Sequence, residues 1–429
     1  MQTKSICKGV DLRILNDPKF KTNTLSIFFH IPLKRETVTY AALLPSVLKR
    51  GSQKYPKLSD MAKRLADLYS AACGAGVRLK GDCEVLYFTM DYIADTYIGE
   101  NLTAAVLEFL EEFVFAPLTK DGGFLPEYVD GEKENLKQAI LGLINDKKEY
   151  TDVKCREAMF GKEGYGMFEA GYVEDLDEIT PKGLYDFYRF VLENAKVDIF
   201  MNGTVDEENV AAVMRTFAAR LLPREADYGK TRVAVSNRKA VQKIVEEIDV
   251  AQSKLAIGLC CGVEPTAKEY YALMLASCIF GGSPFSKLFQ NVREKLSLAY
   301  YAGCRTDRMK SVMMISSGIE TKNYQAAYDE IMVQLDKMKQ GEITDAEIAA
   351  AKKYMATGIH SIKDSLRGME DYYLSQVMMG QQQDLDALLQ CLNAVTREEI
   401  KDVMQKVTPD TIYFLKGIES GGEDAQHED

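Results

Sequence analysis

The segment YAALLPSVLKRGS, Tyr40 to Ser52, returns 231 residues later as YALMLASCIFGGS, Tyr271 to Ser283. At this fixed offset Tyr40/Tyr271, Ala41/Ala272, Leu44/Leu275, Ser46/Ser277, Gly51/Gly282 and Ser52/Ser283 coincide without a gap. The register continues through Leu65/Leu296, Tyr69/Tyr300, Ala71/Ala302 and Cys73/Cys304. Two apolar helices match by chance at a few positions, but chance does not also place a Gly-Ser turn and a later tyrosine in one register. The chain reads as a duplication.

The flanks of the two copies agree. A β-rich run precedes each, LSIFFHIPL at 25–33 and SKLAIGLCCGV at 253–263, and alternating segments, EVLYFTMDYI and SVMMISSGIE, follow. Each half then turns helical, in GEKENLKQAILGLINDKKEY (131–150) and in TDAEIAAAKKYMATGIHSIKDSL, where Thr344 and Glu347 have capping-box spacing. Both halves close on a strand ending in glycine, VDIFMNG and TIYFLKG. The expected fold class is α+β: two duplicated halves, each a mostly antiparallel sheet packed against long helices. The expected division is 1–222, a charged linker at 223–240 carrying Gly229, and 241–429 with a short acidic tail, GGEDAQHED.

Composition narrows the function. With 429 residues, 46% hydrophobic and 27% charged, the chain has ample apolar side chain for two cores. A formal charge of −11 without a Lys/Arg cluster argues against nucleic acid. Nine scattered cysteines with no C-x-x-C pair read as reduced thiols, and the doublet Cys260-Cys261 as core packing. No signal-peptide core stands at the start, and the longest apolar region falls short of the ~18 to 20 residues of a membrane span. A cytoplasmic protein without membrane insertion is the expectation. P-loop, dinucleotide-fold and G-x-S-x-G signatures are absent. In GGSPF, Ser283 and Pro284 are expected to start a helix as cap and first residue.

FGGSPFSKLFQNVREKLSLAYYAGC, 280–304, resembles the C-terminal-half signature of the insulinase/pitrilysin-type metallopeptidases, in the branch of the processing peptidases. The Gln252 strand entry, the ITDAEIAAAKK helix and the duplicated halves extend the resemblance from about residue 8 to 418. Active members carry H-x-x-E-H on a helix of the first half and a further Glu on a later one. Two His at i and i+4 share a helical face and grip one Zn²⁺ while the Glu polarises its water. Alignment on the KRGS turn puts the two His positions at Ala42 and Ser46 and the Glu at Pro45. In the later helix Glu132 matches the first acid of the family, but Ala139 occupies the ligand position. Pro45 implies a helix that either starts there or bends there. The three histidines, His30, His360 and His427, are too scattered to substitute, and His30 is expected to be a strand histidine satisfied by a neighbour.

The resemblance therefore implies no catalytic residue and no metal in this chain, with zinc expected in a partner. Arg293 and Tyr300 match the pair that, in active members, engages the peptide and hydrogen-bonds the scissile carbonyl from the second half. The alternative places Arg293 on a solvated helix face and Tyr300 as a strand-entry aromatic. At the repeat position of Tyr300 stands Tyr69, and opposite Arg293 stands Ala62. The chain resembles the zinc-lacking member of the paired bacterial insulinase-like proteins. It is expected to be an inactive, peptide-binding subunit beside a paralogous zinc-bearing chain, acting on a peptide or protein substrate. The rival expectation is a non-proteolytic scaffold or assembly factor, like the structural core subunits that share this fold.

Overall fold

The branched and aromatic runs become the centres of two sheets, and the amphipathic segments become the helices that cover them. The computed structural model describes residues 1–161, 164–236 and 238–418; the acidic tail lies outside the described residues. The strands of the first half are β1 (Gln2–Cys7), β2 (Val10–Asn16), β3 (Thr22–Pro32), β4 (Ala72–Lys80), β5 (Cys83–Ile93), a short hairpin of β6 (Thr119–Lys120) and β7 (Gly123–Phe124), and β8 (Lys196–Gly203). Those of the second are β9 (Gln242–Ile248), β10 (Ser253–Cys260), β11 (Ala299–Asp307), β12 (Val312–Ile319) and β13 (Thr408–Gly417). The helices of the first half are α1 (Val38–Leu48), α2 (Leu58–Asp67), α3 (Asp95–Ile98), α4 (Leu102–Phe115), α5 (Pro126–Gly142), α6 (Lys147–Phe160), α7 (Val173–Leu176), α8 (Pro181–Asn194) and α9 (Glu207–Arg220). The second half adds α10 (Glu269–Ser277), α11 (Tyr324–Gln340), α12 (Asp345–Lys363), α13 (Leu366–Met378), α14 (Leu385–Ala394) and α15 (Arg397–Gln405).

The fold is α+β with mostly antiparallel sheets, in two compact units. The first comprises Met1–Gly142, Lys162–Thr231 and Ser361–Gln382. Its sheet runs β1-β2-β8-β3-β5-β4, parallel only between β2 and β8. Alternation along β3 and β5 sends Ile27, Phe29, Leu86, Phe88 and Met90 into one core with Leu44, Phe109 and Leu184 of the covering helices. The opposite face is polar and α13 lies on it. There Asp371 pairs with Arg78 (3.0 Å) and Lys80 (2.8 Å), Asn202 donates to Glu370 (2.8 Å), and Arg367 pairs with Asp91 (2.7 Å).

The second unit comprises Leu143–Gly161, Arg232–His360 and Gln383–Asp429. Its sheet runs β11-β12-β10-β13-β9, parallel only between β13 and β9. Here α6 lies on the sheet, with Cys155 against Ala256, Met314 and Tyr413. Gly258 leaves room beneath it for Met159, whose sulfur would stand 2.0 Å from a Cβ there. Each unit thus takes one helix from the other half of the sequence. Asp152 of α6 and Asp371 of α13, 219 residues apart, each face an arginine of a sheet-edge strand, Arg305 at 3.6 Å and Arg78 at 3.0 Å.

Two local expectations change. The stretch 131–150 is two helices, because Asp146 accepts from the Lys148 and Glu149 amides (3.1 and 3.0 Å) and caps α6 anew. Ser283 and Pro284 do not start a helix: Ser283 donates to the Cys278 carbonyl (3.1 Å), and the next helical turns are π-type, Leu288–Lys295. The Thr344/Glu347 capping box forms, with amide-to-side-chain bonds of 2.7 and 3.1 Å. Among the described residues, 222–241 carry no helix or strand, yet Arg224 and Ala234 are buried.

Candidate functional site

Helix α1 forms because Val38, Ala41, Leu44, Val47 and Leu48 recur at helical spacing and are buried together. It starts seven residues before Pro45, which excludes a start at the proline. The proline costs one i→i−4 bond, and the helix resumes behind it, with the Lys49 amide donating to the Pro45 carbonyl at 3.1 Å. A site that depends on one face of this helix would have to tolerate that interruption. None of the residues on the face asks for it.

On α1, Ala42 and Ser46 are partly buried and Pro45 is buried; on α5, which packs against α1, Ala139 is exposed. A methyl, a pyrrolidine ring, a hydroxyl and a second methyl offer zinc neither imidazole nor carboxylate. The residues present do not fit the metal. Among the described residues no group of three or more His, Cys, Asp or Glu is placed to hold an ion. Glu132, the surviving acid, is engaged by the Arg50 guanidinium just past the end of α1. The two helices to which the resemblance assigns the zinc positions are thus joined by an ion pair. Sequence reading missed Arg50, since nothing in its spacing from Glu132 announces that α1 and α5 pack together.

The other two candidates lie close in sequence within the second unit. Arg293 sits on the π-type helix, with its guanidinium carbon 4.7 Å from the Phe289 ring centroid and Glu294 at 3.5 Å. The i, i+4 relation of Phe289 and Arg293 was legible in the sequence. Tyr300 stands on the edge strand β11, where pairing with β12 shifts between Ala299 and Tyr301. This bulge leaves Tyr300 outside the ladder, 59% exposed. Tyr69, its repeat partner, precedes β4 with φ +57° and is 46% exposed. The two tyrosines are therefore held by different backbones.

Residues 178–355 match the family described as peptidase M16 inactive domain. The chain is 32% identical over 421 residues to a Bacillus subtilis (strain 168) protein named probable inactive metalloprotease YmfF, covering 97% of this chain and 98% of that one. The chain belongs to the peptidase M16 family. It is similar to a crystal structure of a conserved protein from Enterococcus faecalis V583, with TM-score 0.89 and 31% identity over 97% of this chain and 98% of that chain. A peptidase M16 inactive domain from Pseudomonas fluorescens shares the fold, with TM-score 0.80 at 17% identity over 97% and 98% of the two chains. With the zinc positions as they stand, this M16 chain is an inactive homologue of the family's peptidases.

Other reactive groups of this M16 homologue are silent. All nine cysteines are free, and burial pushes the Cys260 thiol up to about 12 and Cys261 well above its ordinary value. Neither offers a thiolate nucleophile at neutral pH. His30 is fully buried with Asp198 3.1 Å from its Nε2, yet neither ring nitrogen makes a well-formed hydrogen bond, so the expected satisfying neighbour is present only as a close charge. Burial lowers the His30 pKa and keeps the ring neutral. Asp198 in turn accepts from Arg13 Nε (2.9 Å) and from the Tyr228 hydroxyl (2.8 Å), so residue 228 of the expected linker is tied to the sheet.

Proposed function

We propose that this M16 homologue is the non-catalytic, peptide-binding subunit of a heterodimeric zinc metallopeptidase. The partner is a paralogous chain that holds zinc on an intact H-x-x-E-H helix, in the cytoplasm of a bacterium. The observation that carries this reading is Tyr300. It is turned out of an edge strand by a bulge and exposed, with Arg293 on the preceding helix, while the zinc positions have lost every donor. A phenol fixed to a sheet edge is preorganised, so it can donate to an oxygen that gains charge without first being ordered. The Arg293 guanidinium, stacked on Phe289 and 43% exposed, keeps N–H donors free for a peptide carbonyl or carboxylate. Asp152, Arg305 and Ser316 form a separate polar group on this sheet and take no part in the reading.

Affinity purification from the native host is the first test. A bound chain of similar length with H-x-x-E-H is expected, and a bound M16 chain without it supports the scaffold reading instead. The second test is the variant Arg293→Ala/Tyr300→Phe within the complex. Assembly should be unchanged and peptide cleavage reduced at least about tenfold, the usual scale for one lost oxyanion donor being ~10²-fold. An unchanged rate would refute the assignment of the pair.

A further inference from the structure

The two sheets differ at one edge. In the first unit, β2 lies parallel to β8 and its far side is covered by β1. In the second, β9 lies parallel to β13 in the same arrangement, but no strand covers it: the sheet ends there. Among the described residues β9 has no ladder partner on that side. The strand is seven residues long, contains no proline, and keeps unbroken register with β13 from Gln242 to Ile248. Natural sheets blunt such an edge with a bulge, a proline or charged side chains, because its free N–H and C=O groups recruit another strand. β9 has neither a bulge nor a proline, and the charges it carries, Lys243, Glu246 and Glu247, are of both signs.

Its exposed residues instead form a self-complementary row. Burial alternates along QKIVEEI, leaving Lys243, Val245 and Glu247 outward on one face, with Val245 48% exposed. Lys243 and Glu247 stand at equal distances on either side of Val245. Both charges are held where they are: the Lys243 ammonium lies 4.2 Å from the Tyr324 ring centroid, and Glu247 pairs with Lys416 at 2.7 Å. We propose that β9 is a homodimer interface, in which a second copy of this chain adds its own β9 antiparallel across a two-fold axis at Val245. In that register Lys243 faces Glu247 of the second copy, Val245 faces Val245, and Glu247 faces Lys243. A five-stranded sheet from each copy becomes one continuous sheet of ten.

The other sheet edges do not offer this match. β1 (QTKSIC) and β4 (ACGAGVRLK) contain no acid. In β11, Arg305 and Asp307 flank Thr306, but Arg305 faces Asp152 and the centre lies so near the strand end that only the last residues would pair. The β9 surface contains neither Arg293 nor Tyr300, so its failure and that of the peptide-binding reading are separable.

Sedimentation velocity of the purified full chain, from about 1 to 200 µM, should show a concentration-dependent monomer–dimer equilibrium, as expected of a small interface. Lys243→Glu and Glu247→Lys, each alone, set like charges opposite one another twice over and should weaken association at least about tenfold. Mixed in equal amounts, the first variant presents an acid at both outer positions of the row and the second a lysine at both. A heterodimer should then form where neither variant dimerises alone. Unchanged circular dichroism would show both variants folded. A wild-type chain that stays monomeric throughout, a dimer indifferent to Lys243→Glu, or a mixture that fails to reassociate would overturn the proposal.

Discussion

Arg50, just beyond the end of α1, is ion-paired with Glu132 of α5. The side chains are 30% and 13% exposed, so solvent screens the pair only in part. In a double-mutant cycle with Arg50→Met and Glu132→Gln, urea unfolding should report a coupling of roughly 0.5–1 kcal/mol. Zero coupling would mean that the two helices are held by apolar packing alone.

Glu84 of β5 is fully buried, and neither carboxylate oxygen has a hydrogen-bond partner. Burial, with Glu169 adding to it, holds its pKa well above the ordinary value. The folded state therefore keeps a proton that the unfolded chain gives up. Stability contributed by this group is full below the ordinary carboxyl pKa of about 4.3 and is lost as pH rises toward the folded value. Glu84→Gln should be nearly neutral at pH 4 and stabilising by roughly 1–3 kcal/mol at pH 8, read from urea midpoints. An equal effect at both pH values would contradict the protonated assignment.

Asp198 is the hub of a buried cluster on β8. Burial alone would raise its pKa, but His30, Lys196 and Arg13 outweigh it and hold the group well below the carboxylate range. Asp198→Asn would leave Arg13 and Lys196 buried without their central counter-charge, at a cost of about 3–5 kcal/mol. His30 runs the other way: its lowered pKa means that the unfolded chain takes up a proton first, so stability falls as pH drops through about 6.5. A His30→Gln variant should lose that acid sensitivity between pH 7 and 5. Melting temperatures across this range decide it.

Neither sheet is complete without a helix from the other half of the sequence. Fragments 1–231 and 232–429, expressed separately, lack α13 and α6 respectively over the sheets that need them. Each alone should fail to unfold cooperatively, since a polar sheet face bearing Arg78, Asn202 and Asp91 is left without its partners. Co-expressed, they should copurify and melt as one. Independent cooperative folding of the first fragment would show that α13 adds little.

The halves of this protein were legible because side-chain period is local. The alternation in EVLYFTMDYI, the branched run in SKLAIGLCC and the Thr344/Glu347 box each specify their element within a few residues, and the repeat shows that two such sets exist. Ala42, Pro45, Ser46 and Ala139 are positions that the family resemblance assigns to zinc, and their residue types are read directly from the sequence. Which elements meet was not legible. That α6 and α13 change places, that Arg50 meets Glu132, that Glu84 is sealed without a partner, and that β9 ends its sheet uncovered all depend on contacts between residues far apart in sequence. Such contacts are fixed by the packing of whole layers, a property that no window of the chain contains.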